Sequence, residues 1–277
     1  MTAADAAFAR KYGPWAVVIG AAQGLGAEFC RQLAARGLHL AMVALEDDEL
    51  HALAGDLEAQ HGISTCPIVG DITAPDVRGE LTTATATSEV GLVVYNAALA
   101  VRGLWLDTPL DRHLEMIDLN VVGPMSVLSD FVPAMARRGR GGVILLSSMS
   151  GLQGSPVLAT YAATKAFTLN LAESLWDEWR PLGIDVTALV PGPTDTPGYR
   201  ASAPRTTRLT PKAMNVEPVV TEALNALGSR LSVIPGRVNK GAGFFFGRMM
   251  PRRRSVAFMG RTMRGMYPPD VAVGVDD

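Results

Sequence analysis

Cysteine is nearly absent: Cys30 and Cys66 are the only two in 277 residues. Two thiols cannot build a disulfide framework, and each lies in an apolar stretch where a small buried thiol is the ordinary reading, so a reducing compartment is expected. Long apolar runs are missing too. No stretch approaches the roughly 18 consecutive apolar residues of a membrane span, and the N-terminal MTAADAAFARKYGPW has no apolar core of signal-peptide length, so a cytoplasmic protein is expected. Repeats and low-complexity tracts are lacking, and so is a strong overall charge: 19% of residues are charged and the formal net charge is -2. Acidic residues vanish in one place. Arg237 to Pro269 holds eight basic residues and no acid, leaving 17 of the 25 basic residues against all 27 acidic ones, a balance of -10.

What is present suits one large α/β domain, with 48% hydrophobic residues. WAVVI (15 to 19) is a short apolar run, GAAQGLG follows, and AEFCRQLAARG then repeats its apolar residues at helical spacing. This pattern predicts strand, glycine turn, helix. Gly20, Gly24 and Gly26 follow G-x-x-x-G-x-G, where missing side chains let the backbone approach a phosphate and the free N–H groups of the new helix face it. Any tight strand-to-helix turn can use glycines, but this one opens a βαβ unit completed by LHLAMVAL (38 to 45), the setting of a dinucleotide pyrophosphate site.

The second strand ends at Ala44, Leu45, Glu46, Asp47 and Asp48, where an adenosine ribose would lie. A carboxylate there can bind ribose hydroxyls, whereas a 2′-phosphate wants an arginine or lysine, and none lies between Arg36 and Arg78. NAD is therefore favoured over NADP, although the same acids suit the first turn of the helix expected over 47 to 61. A third strand (64 to 69) ends before Asp71, a helix is expected over 74 to 87, and a fourth strand (92 to 96) ends at Asn96. Alternation of strand and helix predicts a parallel sheet whose carboxyl ends border the ligand crevice.

Residues 111 to 137 read as one long helix broken by Gly123-Pro124. Proline has no N–H for the carbonyl four residues back, so the Asn120 carbonyl keeps a free acceptor, able to hold a water or simply marking a kink. A fifth strand (142 to 147) delivers Ser148 to a turn. Tyr161 and Lys165 follow on a helix running to about Leu182, four residues apart and so on one face. An ammonium beside a phenol favours the phenolate and makes Tyr161 a candidate acid/base. Alone, the pair reads first as an ordinary half-buried tyrosine beside a solvated lysine, and it needs the company of other residues. A sixth strand (185 to 190) leads to Pro191-Gly192-Pro193.

Taken together, GAAQGLG, Asn96-Ala97-Ala98, Asn120, Ser148, Tyr161-x-x-x-Lys165 and PGPTDT resemble the short-chain dehydrogenase/reductase family over residues 13 to about 235. The resemblance implies a doubly wound, Rossmann-type parallel sheet of about seven strands with helices on both faces. It also implies hydride transfer between nicotinamide and a carbonyl or alcohol carbon. Carried over, Tyr161 is the acid/base, Lys165 lowers its pKa and holds the nicotinamide ribose, Ser148 polarises the substrate oxygen and Asn120 holds a relay water. Gly20, Gly24 and Gly26, with Gln23 and Leu25, would line the pyrophosphate. Asp71 and Ile72 would meet the adenine, Asn96 and Ala97 would support the cofactor, and Pro191, Gly192, Thr194 and Thr196 would reach the carboxamide end. The chain departs from the family at Ile19, usually threonine, and at Tyr95-Asn96-Ala97-Ala98, usually Asn-Asn-Ala-Gly. It has neither a basic residue at Gln23 or Leu45 nor Asp at Ala44. GPWAVVIGA, ATYAATKAF and VIPGR look like the branch holding 17β-hydroxysteroid dehydrogenase and long-chain 3-ketoacyl reductase members, which tend to take apolar substrates. A homodimer or homotetramer is expected and no metal site. The rival from another class is a cofactor-binding scaffold without turnover.

Residues 193 to 215 are proline-punctuated and read as a substrate lid. Arg200, Arg205, Arg208 and Lys212 there are either a solvated basic loop or a greeting for an anionic carrier such as a CoA thioester. Met149, Leu152, Leu158 and Tyr199 are the expected apolar pocket wall. The extension 236–277 interleaves Phe244 to Phe246 and five methionines with arginines; a subunit or lid contact comes first for it, an anionic membrane surface second, and nucleic acid is not expected.

Overall fold

A computed structural model describes residues 2–206 and 210–268. Trp15–Ile19 (β1), His39–Ala44 (β2), Thr65–Val69 (β3), Val90–Tyr95 (β4), Gly141–Leu146 (β5), Ile184–Leu189 (β6) and Ser232–Val233 (β7) make a single sheet in the order β3-β2-β1-β4-β5-β6-β7. Every neighbouring pair is parallel, as the alternation of strands and helices predicts. The seventh strand has only two residues, too short for a periodicity in the sequence to reveal.

Side chains alternate across the sheet. Ala16, Val18, Leu40, Met42, Leu92 and Val94 enter one core with Gly24–Ala34 (α2), Asp47–His61 (α3) and Val216–Ala226 (α9). Val17, Ile19, Ala41, Val43, Val93 and Tyr95 enter the other, against Pro75–Ala84 (α4), the Pro124 helix and Ala159–Glu178 (α7). Burial on both faces explains why the strands read as unbroken apolar runs. Truncating a fully buried side chain such as Leu40 would cost about 2–5 kcal/mol.

A short N-terminal helix, Ala3–Tyr12 (α1), starts with a capping box in which Thr2 and Asp5 bond reciprocally. It ends by pushing Tyr12 under the sheet, where the hydroxyl donates to Asp185 at 2.6 Å. Gly142 makes the room, since a Cβ there would lie 2.8 Å from the Tyr12 ring.

The long helix expected over 111 to 137 is Leu110–Ile117 (α5), a π turn at Asp118–Val122 and Gly123–Arg138 (α6). The turn absorbs the proline. Hydrogen bonds there reach five residues back, Gly123 N–H to Asp118 C=O, so the carbonyl facing Pro124 in the ladder is that of Leu119. Tyr95 Oη donates to it at 2.7 Å. Leu110–Arg138 holds no run of 18 consecutive apolar residues, in line with the sequence, yet it is long and apolar enough to cross a membrane by length and composition. In the fold its Met116, Val127, Leu128 and Phe131 are buried, as a core helix requires.

Two short helices close the described chain, Arg237–Phe244 (α10) and Arg252–Met266 (α11). Between β6 and α9, the stretch expected to be irregular contains a helical turn, Pro197–Ala201 (α8), capped by Thr196.

Candidate active site

The chain leaves β1 toward β2 on one side while β4 lies on the other, so a crevice opens at their carboxyl ends. Gly20 and Gly24 line it, both at positive φ (+77° and +55°). A Cβ on Gly20 would lie 2.8 Å from the Ala97 nitrogen, and one on Gly24 2.9 Å from Thr196 Cγ2. Asn96 ties the two strand ends together, its Nδ2 donating to the Gly20 carbonyl at 2.7 Å. Gly26 is different: a Cβ there would lie 1.8 Å from the Gly20 oxygen, so this glycine packs helix against strand and does not line the crevice.

The crevice holds about 420 Å³. Gln23 and Leu25 flank the head of α2, where Gln23 offers no side-chain cap and the first-turn N–H groups are left for an anion. Glu46, Asp71 and Ile72 line the far end; the Asp71 carboxylate accepts from Thr73 N–H at 2.8 Å through one oxygen. Ala97, Pro191 and Thr196 line the near end, Thr196 Oγ1 accepting from Tyr199 N–H at 3.1 Å. Gly192 and Thr194 stay outside. Thr194 is buried with Oγ1 donating to the Gly192 carbonyl at 3.0 Å, and Gly192 faces Asn239, so both shape the turn behind the wall. The cradle of glycine backbone, helix N-terminus and carboxylate fits a dinucleotide.

Four predicted residues converge at the mouth. Tyr161 and Lys165 both line the crevice. Asn120 is buried behind them with its side chain fully engaged: Oδ1 accepts from Leu99 N–H at 2.9 Å, and Nδ2 donates to Leu99 C=O at 2.9 Å and to Thr164 Oγ1 at 3.0 Å. Thr164 Oγ1 in turn donates to the Tyr161 carbonyl at 2.8 Å. Ser148 caps the turn Met149–Leu152 by accepting from Ser150 N–H at 3.2 Å, and its hydroxyl is a hydrogen-bonding neighbour of Tyr161.

One expectation is reversed. Lys165 was expected to draw the Tyr161 pKa down, but burial pushes Tyr161 above the ordinary phenol value, with Ser148 and then Arg102 working the other way. Lys165 is 3% exposed, its Nζ donates to the Leu146 carbonyl at 2.8 Å, and burial brings its pKa down to about 7. An ammonium that has lost much of its charge cannot act as a full cation on its neighbour. Spacing revealed the pair; only burial fixes its charge.

The substrate side is built from distant segments. Tyr161 packs in a small apolar cluster with Val157, Leu158, Met259, Met263, Met266 and Tyr267. Of the four predicted wall residues, Leu158 joins this cluster, Met149 and Leu152 pack on the neighbouring core, and Tyr199 stands on α8 near Tyr267. The C-terminal segment is bound down: Arg205 N–H donates to Met266 C=O at 2.9 Å, Ser202 Oγ lies 3.1 Å from Tyr267 Oη, and Arg252 donates to Leu152 C=O at 3.0 Å. Sequence reasoning missed Met263, Met266, Tyr267 and Arg102; the methionine run among arginines was the available signal. Of the lid's basic residues, Arg200 is held by Asp195 at 2.7 and 3.2 Å, and Arg208 lies outside the described residues.

A parallel sheet opened at its switch point, with a tyrosine and a lysine at the mouth of a dinucleotide-sized crevice, defines a nicotinamide-dependent oxidoreductase of the α/β class. Residues 14–206 match the short chain dehydrogenase family model, and the chain belongs to that family. It is an NAD(P)-dependent alcohol dehydrogenase or carbonyl reductase. The 7beta-hydroxysteroid dehydrogenase of Collinsella aerofaciens is 34% identical over 233 residues, 83% of this chain and 89% of that protein. The very-long-chain 3-oxoacyl-CoA reductase of Laccaria bicolor is 34% identical over 186 residues, covering 66% of this chain and 55% of that one. A structure solved in work on 7beta-hydroxysteroid dehydrogenase stereoselectivity superposes with a TM-score of 0.85 at 32% identity, over 91% of this chain and 98% of that one.

Proposed function

We propose that the protein interconverts a ketone and a secondary alcohol on a bulky, apolar ring system of steroid-like shape, using NAD(H). The observation that carries this reading is the place of Tyr161, which lines the cofactor crevice on one side and packs among Leu158, Met263, Met266 and Tyr267 on the other. A carbonyl carried by a bulky apolar body fits that boundary. The likeness to a 7beta-hydroxysteroid dehydrogenase supports it.

In this reading the nicotinamide supplies or accepts the hydride when bound. Tyr161 gives its hydroxyl proton to the carbonyl oxygen in reduction and takes it back in oxidation, and Ser148 donates a hydrogen bond to the same oxygen. Lys165 stands below Tyr161, its Nζ 5.7 Å from the ring centroid, and is placed to meet the cofactor ribose. Gly20, Gly24 and the head of α2 take the pyrophosphate. Asn120 holds the loop at Leu99, and a relay water at its backbone carbonyl rests on the family resemblance alone, since the carbonyl facing Pro124 is that of Leu119. Glu46, at the head of α3 with no side-chain cap bond of its own, favours ribose hydroxyls over a 2′-phosphate.

Residues 193 to 215 act as the lid, and the C-terminal extension acts first as a lid contact. It turns Met263 and Met266 inward and bonds to Arg205 and Ser202, which favours that role over a membrane surface. The exposed apolar stripe of Leu110, Leu114, Ile117, Val122 and Met125 on the α5–α6 helix suits pairing with a second copy. A cytoplasmic location agrees with the scarcity of cysteine.

A panel of steroid, aryl and cyclic ketones and 3-oxoacyl thioesters, followed at the nicotinamide absorbance with NADH and NADPH in parallel, tests the reading. The bulky ring ketones should give the highest kcat/KM, with NADH ahead. Preference for the acyl thioester would replace the substrate proposal. A lead for NADPH of more than about tenfold, ~1.4 kcal/mol, would overturn the role of Glu46.

A further inference from the structure

The loop between β4 and α5 carries a cation that neither the family resemblance nor the reading above employs. Arg102 forms none of the salt bridges among the described residues, and its Nε is buried without a hydrogen-bond partner. Nη1 reaches only the Ala100 carbonyl, at 3.3 Å. The guanidinium lies over the Tyr267 ring, 5.3 Å from its centroid, and Tyr267 packs in the same cluster as Tyr161.

The loop is pinned on both sides of Arg102. Leu99 is clamped by both ends of the Asn120 amide at 2.9 Å, and Gly103 N–H donates to the Val157 carbonyl at 3.0 Å. Val157 holds φ +73°, a conformation costly for a β-branched residue and kept only where the surroundings over-determine it. Both clamps belong to the frame of Tyr161: Asn120 through Thr164, and Val157 through the shared apolar cluster.

We infer that Arg102 is a positioning residue, the standing cation of the active site, fixed against Tyr267 so that its charge favours the ionised form of Tyr161. An unpaired charge in a partly buried, apolar corner is costly unless an anion appears beside it, and a phenolate at Tyr161 is that anion. The charged and titratable groups facing Tyr161 are Lys165 from its own helix, Arg102 from the β4–α5 loop and Tyr267 from the C-terminal segment. Arg102 acts on Tyr161 in the sense that stabilises the phenolate, whereas burial disfavours the charged form of Lys165. The step itself is a proton exchange between Tyr161 and the substrate oxygen, so the inference rests on the acid/base reading of Tyr161.

The test is a pH titration of the full chain labelled with [13C]tyrosine at Cζ, with the Tyr161 signal assigned from Tyr161→Phe and no substrate present. Arg102→Gln, and Arg102→Met as a second variant that keeps cover over the Tyr267 ring, should move the Tyr161 midpoint upward by about one pH unit, a tenfold change in its acid constant. Arg102→Lys should restore most of the shift. Arg261→Gln, an exposed site on α11, should leave the midpoint in place. In alcohol oxidation, where Tyr161 must accept the proton, the acidic limb of the kcat/KM profile should move to higher pH by the same amount in Arg102→Gln. An unmoved Tyr161 midpoint in both the Gln and Met variants would overturn the inference, as would a loss confined to KM for anionic ketones, which would assign Arg102 to the substrate instead. Absence of turnover by the parent chain would sink the functional reading but leave the titration result standing.

Discussion

The cofactor side and the substrate side of this site are built in opposite ways. The cofactor side is local: Gly20, Gln23 and Gly24 are nearly consecutive, and Glu46 and Asn96 sit at ends of strands adjacent to β1. Its recognition surface is mostly backbone, so its geometry follows from the sheet. The substrate side is assembled from segments far apart in sequence, 99–103, 148–158, 196–205 and 259–267, and held by side-chain packing and a few cross-bonds. A backbone site is kept by the fold, whereas a packed site can be re-cut by substitution. Tyr161 stands where the two meet.

Variants that touch one side and spare the other sharpen this contrast. The largest effect is expected from Tyr161→Phe, which should lower kcat by about 10²–10⁴-fold while nicotinamide affinity, measured by fluorescence titration, stays within about twofold. Next come two complementary variants. Gly24→Ala places a Cβ 2.9 Å from Thr196 Cγ2 at positive φ and should weaken cofactor binding by about tenfold with little change in ketone KM. Met266→Ala should do the reverse, raising ketone KM by about tenfold and leaving cofactor affinity unchanged. If each variant disturbed both constants equally, the division into two sides would fail.

A smaller effect concerns stability. The Lys165 pKa falls from 10.5 to about 7 in the folded chain, so between those values the unfolded chain holds a proton that the folded chain has released. Stability from this group is therefore complete above about 10.5 and is lost as pH falls toward 7, below which both states are protonated. Urea unfolding of the parent and Lys165→Met at pH 7 and pH 9 should find the variant's relative advantage larger at pH 7. A difference independent of pH would mean that the lysine keeps its ordinary charge.

The same division explains what could be read from the sequence. The glycines, Asn96, Ser148 and the Tyr161–Lys165 pair were legible because spacing along one or two elements determines where they go. Pro124 announced a break, but only the fold places Tyr95 on the Leu119 carbonyl that the π turn exposes. Gly26 matched the motif yet serves helix packing, since spacing cannot distinguish a glycine that faces a ligand from one that faces a strand. The charge of Lys165 was misjudged because burial, not separation, sets it. Arg102 and Tyr267 lie 165 residues apart in the chain and meet only in three dimensions, and nothing local in either segment announces the contact. The α1 helix and its Tyr12–Asp185 bond escaped for the same reason, with 173 residues between the partners.

Deuterium tracing tests the central claim most directly. The enzyme is supplied with reduced nicotinamide carrying deuterium at the transferable position and with a bulky ring ketone, and the alcohol is analysed by mass spectrometry, alongside Tyr161→Phe. The account predicts one deuterium on the new carbinol carbon with the parent enzyme and almost none formed by the variant in the same time. Label missing from that carbon, or transferred equally fast without the Tyr161 hydroxyl, would contradict it.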